Sequence, residues 1–212
     1  MLMNIIKQLY KHSLEVIFAL LIILTIILSS FCLIDCIPLS YGKSRLICKQ
    51  SDINPTNIRE YLEKMSSDHT VIIVLKDTQP QFVTNEMIEH LKDLGFKDVG
   101  LLEENAFHSY IGILSKGRII YEQVGSDEMI TFGDAIDKHY VVAQSGTYND
   151  GYTGEIYIDT IQYAPNISGL NIVTVDLEKN ELIDSVGYDV FAEDTPVYRL
   201  EKDSLNKIDS SN

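Results

Sequence analysis

The segment from Val16 to Ile34, VIFALLIILTIILSSFCLI, runs for 19 residues without a charge. At about 1.5 Å of rise per residue, a helix of that length reaches roughly 28 Å, enough to cross the hydrocarbon of a bilayer. The rest of the chain must then fold apart from this segment. A cleavable signal peptide has a shorter apolar region and an A-x-A-like cleavage site. Neither SSFC nor LIDC fits that pattern, and neither makes a lipoprotein cleavage box. The expected organisation is a short cytoplasmic segment (1–13), an uncleaved transmembrane signal anchor (14–36), a juxtamembrane linker (37–53), a folded domain (54–193) and a polar tail (194–212). Lys7 and Lys11 precede the span while Lys43, Arg45 and Lys49 follow it, so basic residues barely set the orientation. The preceding segment is short and the following one is domain-sized. The expectation is an inward amino terminus and a domain outside the cytoplasm.

The formal charge of −14 lies entirely beyond Cys36, because Lys7 and Lys11 cancel Glu15 and Asp35 before it. Such a surface repels nucleic acid phosphates and anionic lipid headgroups. It argues against a nucleic-acid partner and against flat docking on a membrane. Cys32, Cys36 and Cys48 are the only cysteines. A Cys36–Cys48 disulfide, acylation, a contact between spans and plain free thiols all remain open for them. The 54–193 region has no cysteine, so it offers neither a thiol nucleophile nor a thiolate zinc site.

Local pattern places the elements. Asn54 followed by Pro55 reads as a helix cap and first-turn proline, with Ile58, Tyr61, Leu62 and Met65 forming an apolar face. TVIIVL from Thr70 is a buried strand. After a KDTQPQF loop, Thr84 caps a second helix whose stripe is Met87, Ile88, Leu91 and Leu94, and Gly95 ends it. SYIGIL from Ser109 and RIIYEQV from Arg118 form a hairpin through Ser115, Lys116 and Gly117. A polar stretch from Gly125 to Asp137 divides the halves. HYVVAQ from His139, GEIYID from Gly154, and a hairpin of NIVTVD and ELIDSVGYD across Leu177–Asn180 follow. The tail after Glu193 is polar and expected to be partly disordered, although PVYRL is compatible with an edge strand. The steady strand–helix alternation of a doubly wound sheet is absent. The expected fold class is α+β: antiparallel β-sheets packed with a few flanking helices, preceded by one transmembrane helix.

Several words of the second half, SGTYNDG and then SGLNIVTVDLEKNELIDSVGYDVF, resemble the interleukin-like EMT inducer (ILEI, PANDER-like) domain family. That pattern runs from a serine-glycine strand end through a hairpin to R-G-L-N-I-x-V-x-D, and closes on D-S-x-x-F-D-x-Y. Here it is carried by Ser168, Gly169, Leu170, Asn171, Ile172 and Asp176, then by Asp184, Ser185, Tyr188 and Asp189. Ser168 stands where the family has arginine and Tyr188 where it has phenylalanine, which removes any ligand contact that depends on that guanidinium. HTVIIVLKDTQPQFVTNEMIEHLKDLGF is similar to the family's other half, in the exchanged order seen in bacterial relatives. The resemblance covers about Ile58 to Phe191. It implies antiparallel sheets with flanking helices and no established enzymatic activity. Related domains occur as secreted signalling factors and as stem modules of glycosyltransferases, where glycan binding is implied. Fold-level analogy of this kind sets an expectation and leaves function to the site.

The loop TYNDGYTG from Thr147 to Gly154 gathers Tyr148, Asn149, Asp150 and Tyr152. Aromatic faces cover the C–H patches of sugars, and amide or carboxylate groups meet their hydroxyls. Asn-Asp-Gly is also ordinary turn chemistry, and flanking tyrosines commonly pack a hairpin. With Asn171 and Asp189 from the family words, these residues make the candidate ligand site. Asp176, Asp184 and Asp189 lack the tight spacing of a calcium loop, so no metal is expected. Glu103 with Glu104, and Glu193 with Asp194, are sequence neighbours. On a strand such neighbours point to opposite faces, which makes poor acid/base pairs. His69, His90, His108 and His139 are scattered without a metal-site spacing, and Ser145 lacks the G-x-S-x-G elbow. No catalytic residue and no cofactor are expected. Asn166-Ile167-Ser168 is a formal N-glycosylation acceptor. The function expected is a membrane-anchored, non-catalytic binding domain for cell-surface carbohydrate or polymer, accessory to envelope polysaccharide assembly. The alternative is a protein-interaction or signalling module, and an enzyme with an unfamiliar site comes third.

Overall fold

Thr70–Thr78 (β2) is the strand around which everything else is arranged. Its side chains alternate between two buried surfaces: Val71, Ile73 and Leu75 enter one apolar cluster, Ile72 and Val74 the other. A strand covered on both faces reads as a continuous apolar run rather than an alternating one. Burying each of these aliphatic side chains contributes about 1.5–3 kcal/mol before entropic costs.

The computed structural model describes residues 45–78, 85–103, 107–192, 194–201 and 204–208. The elements that follow β1 (Ile47–Cys48) and flank β2 are α1 (Ile58–Asp68), α2 (Asn85–Asp93), a 3-10 helix (Asp98–Glu103), β3 (His108–Ser115) and β4 (Arg118–Ser126). Then come β5 (Ile130–Ile136), β6 (His139–Ser145), β7 (Gly154–Ile158), β8 (Ile161–Gln162), β9 (Gly169–Asp176), β10 (Glu181–Asp189), β11 (Val197–Glu201) and β12 (Ser204–Ile208). The main sheet has the order β12-β11-β10-β9-β2-β3-β4, with β1 pairing parallel to β10, and the smaller sheet has the order β5-β6-β7-β8. The helices cover one face of the main sheet through Tyr61, Leu62, Met65, Ile88 and Leu91. The smaller sheet covers the other through Val141, Ala143, Ile156 and Ile158. This is an α+β fold, and the described residues lie within one compact unit, Gly42–Asn212.

Several expectations change. The cap of α1 is Asn57, whose Oδ1 accepts the Glu60 N–H at 3.1 Å; Asn54 Oδ1 instead accepts from Thr56 N at 3.0 Å in a turn before the helix. The polar stretch 125–137 contains β5, an edge strand with Ile130 and Ile136 buried and the residues between them mostly outside. The folded unit is wider than 54–193. Leu46 is buried and its N–H donates to Tyr163 Oη at 2.8 Å, while β11 is flanked by β10 and β12. The 14–36 span, Cys32, Cys36, Thr84, Glu104 and Glu193 lie outside the described residues. Among the described residues no helix is long and apolar enough to cross a membrane.

A buried ion pair lies on the helix side of the main sheet. Arg199 Nη2 donates to Asp184 Oδ2 at 2.8 Å and to Ile53 O at 2.7 Å. Burial pushes the Asp184 carboxyl up, and the Arg199 guanidinium opposes that shift. Burial likewise raises the Tyr61 and Tyr188 hydroxyls beside it. Tyr188 Oη donates to Pro55 O at 2.7 Å, which fixes the entry to α1.

Candidate ligand site at the 146–154 loop

The loop between β6 and β7 begins where a serine joins the two sheets. Ser145 Oγ accepts the Tyr110 N–H at 2.9 Å and donates to Leu75 O. Leu75 and Tyr110 are register partners of β2 and β3, so the hydroxyl stands between two strands of the main sheet. From there the backbone closes on itself. Gly146 N donates to Thr153 O at 2.8 Å, Tyr152 N and Asp150 N both donate to Thr147 O, and Asp77 N donates to Gly146 O at 3.2 Å. Gly154 permits a close approach, because a Cβ there would lie 2.7 Å from Lys76 Cβ.

This frame presents two tyrosines. Tyr148 is 73 % exposed and Tyr152 46 %, and their rings meet edge to face with centroids 6.2 Å apart. Tyr152 is pinned from two sides. Its hydroxyl shares a 2.8 Å hydrogen bond with Ser168 Oγ, and Lys76 Nζ lies 4.4 Å from its ring centroid. Lys76 is itself only 9 % exposed and donates to Asn166 O at 3.1 Å and Asn166 Oδ1 at 3.0 Å. Four non-glycine residues here take left-handed backbone: Asp77 (φ 56), Asp127 (φ 54), Tyr152 (φ 42) and Asn166 (φ 57). For a bulky residue such as Tyr152 that conformation is a true outlier, held only where its surroundings over-determine it.

The other expected site residues are placed as follows. Asn149 Nδ2 donates to Asp127 Oδ1 at 3.2 Å, and Asp150 Oδ2 accepts the Met129 N–H at 2.5 Å, so both brace the loop from outside. Asn171 is fully buried; its Oδ1 accepts from Ile167 N at 3.0 Å and its Nδ2 donates to Ile167 O at 2.9 Å. It shapes the 165–168 turn that carries Ser168. Asp189 pairs with Gly169 at the end of the β9–β10 ladder, and its Oδ1 accepts the Phe191 N–H at 3.1 Å. The structure therefore brings Tyr148, Asn149, Asp150 and Tyr152 together and sets Asn171 behind them. Sequence reasoning missed Lys76, Asn166 and Asp127. The available signal was a lysine directly continuing the apolar run TVIIVL, where a charge needs a partner.

The aspartates of the family words do not meet. Asp176 binds Lys179 Nζ at 2.6 Å, Asp184 binds Arg199, and Asp189 holds its own turn. Among the described residues no group of three or more His, Cys, Asp or Glu is placed to hold a metal ion. His139 Nδ1 lies 2.5 Å from Asp159 Oδ2 and its Nε2 lies 3.1 Å from Leu177 O. This pair is buried with both ring nitrogens occupied, so it fastens the start of β6 and the β7–β8 turn to the β9–β10 turn and presents no open face to a substrate. Compared with known protein families, curated proteins and solved structures, the chain matches none.

Proposed function

We propose that this chain is a membrane-anchored, non-catalytic binding protein of the ILEI/PANDER-like type, its two halves in exchanged order and its folded domain outside the cytoplasm. Its ligand is cell-surface carbohydrate or a related polymer, taken at the 146–154 loop, in a role accessory to envelope polysaccharide assembly. The observation that carries the reading is the exposed edge-to-face pair of Tyr148 and Tyr152, held at fixed orientation by Lys76 and Ser168. Rigid aromatic rings supply contact area at low entropic cost. Backbone strain at Tyr152 and Asn166 supports a loop built for recognition, since such strain gathers at functional sites. The uncharged run from Val16 to Ile34 supports the anchor.

The test is retention of the detergent-solubilised full chain on an array of neutral and acidic surface polysaccharides. Tyr148→Ala and Tyr152→Ala are each expected to weaken retention roughly tenfold, about 1.4 kcal/mol, as for an aromatic anchor. Flat binding across the whole array overturns the proposal.

A further inference from the structure

On the helix side of the main sheet, a cleft of about 490 Å³ opens between the start of α1, the first turns of α2 and the turn joining β10 to β11. Small-molecule sites fall in the range of about 300–1,000 Å³. The floor is apolar, made by Ile58, Met87, Tyr188, Val190 and Val197.

The charges around this floor have one sign. Glu86, with its side chain 81 % exposed, and the exposed Asp194 both line the opening. Among the described residues no lysine or arginine lines it. His90 also lines the cleft; its Nδ1 accepts the Arg59 Nε–H at 3.1 Å and its Nε2 lies 3.4 Å from Glu86 Oε1. Arg59 is in turn neutralised by Asp93 at 2.5 Å. Asn57 caps the α1 terminus facing the cleft, its Oδ1 accepting the Glu60 N–H. A tight turn holds Asp194 at the rim. Thr195 N donates to Ala192 O at 3.0 Å, and Thr195 has φ 41, an outlier for a β-branched residue. The overall charge of −14 draws cations toward the domain.

The geometry points to a binding site for a small organic cation, an ammonium or quaternary ammonium group on a short apolar body. The body lies on the floor made by Met87 and Val190, and the charge lies between Glu86 and Asp194. The site is separate from the tyrosine loop and does not depend on the carbohydrate reading.

The test titrates the full chain, carrying ¹³C-methyl methionine, with n-butyltrimethylammonium. Pentan-1-ol and pentanoate serve as neutral and anionic chains of like length. Met87→Leu assigns the reporting methyl. Saturable movement of that signal by the cation, and by neither comparison compound, is the expected result. Glu86→Gln with Asp194→Asn should weaken binding about tenfold, because both opposite charges at contact are lost. Glu155→Gln with Asp134→Asn, both on the smaller sheet, alters net charge equally and should leave binding within about twofold, since charges at a distance are screened. The proposal is overturned by an unmoved Met87 signal, by equal binding of the three compounds, or by equal effects of the two charge-neutralised pairs.

Discussion

Ser145→Ala removes one oxygen on which two buried backbone groups depend. In the wild-type chain the Tyr110 N–H donates to Ser145 Oγ at 2.9 Å, and that hydroxyl donates to Leu75 O. Ser145 and Tyr110 are 0 % exposed and Leu75 is 1 %, so water cannot replace the lost partner without opening the sheets. Each buried polar group left unpaired costs about 1–3 kcal/mol. The expected loss is therefore about 2–6 kcal/mol, against a typical domain stability of about 5–15 kcal/mol. For a domain of this size that lowers the melting midpoint by roughly 4–24 °C. Urea unfolding followed by tyrosine fluorescence measures it, with an unchanged denaturant slope showing that only stability moved. Ser185→Ala is the comparison. Its hydroxyl satisfies only Tyr163 O, at 2.6 Å, and its loss should cost about 1 kcal/mol. A Ser145→Ala cost below about 1 kcal/mol would refute the reasoning. It would mean that Tyr110 and Leu75, already register partners, pair directly once the hydroxyl is gone, and that Ser145 does not anchor the loop.

Two aspartates should give opposite pH signatures. The Asp184 carboxyl is raised, chiefly by burial. Its stabilising contribution is therefore fully present below its unfolded value, which the model peptide puts at 3.8, and is lost as pH rises through the raised folded value. Asp176 is lowered, chiefly by its hydrogen bond from Lys179; its contribution is present above 3.8 and is lost as pH falls through the lowered folded value. The stability difference between wild type and Asp184→Asn should thus move against wild type as pH rises, and that for Asp176→Asn should move toward it; urea midpoints across the acid range check both signs. Lys76→Met keeps the aliphatic stem but removes the ammonium from Asn166 and the Tyr152 ring. A cation–π contact of about 0.5–2 kcal/mol is lost, and broadened Tyr152 ring signals with weakened glycan retention are expected at unchanged global fold.

How much of this was legible in the chain depended on where each residue's partners lie. β2, β9 and β10 were readable because burial on both faces forces long apolar runs, and Leu177–Asn180 supplies a turn between the last two. β5 was not, since an edge strand with one covered face and a solvated outer side resembles a polar loop. The start of α1 was misplaced because Asn54 and Asn57 are both competent caps. The choice falls to Asn57 through the turn that Asn54 makes with Thr56 and the hold of Tyr188 on Pro55.

By itself, the amino-acid sequence determined the α+β class, the aromatic character of the 146–154 loop and the uncharged run ahead of the domain. Each is a property of neighbouring residues: periodicity, turn chemistry and local hydropathy. Tertiary structure alone decided what holds the loop in place. Lys76 and Asn166 are 90 positions apart and meet because β2 and β9 pair with Lys76 opposite Gly169. The same pairing puts Asn171 inside the protein and Ser168 under Tyr152, while the pairing of β2 with β3 sets Leu75 and Tyr110 side by side for Ser145 to bridge. Such partners meet because strands far apart in the sequence pair with one another.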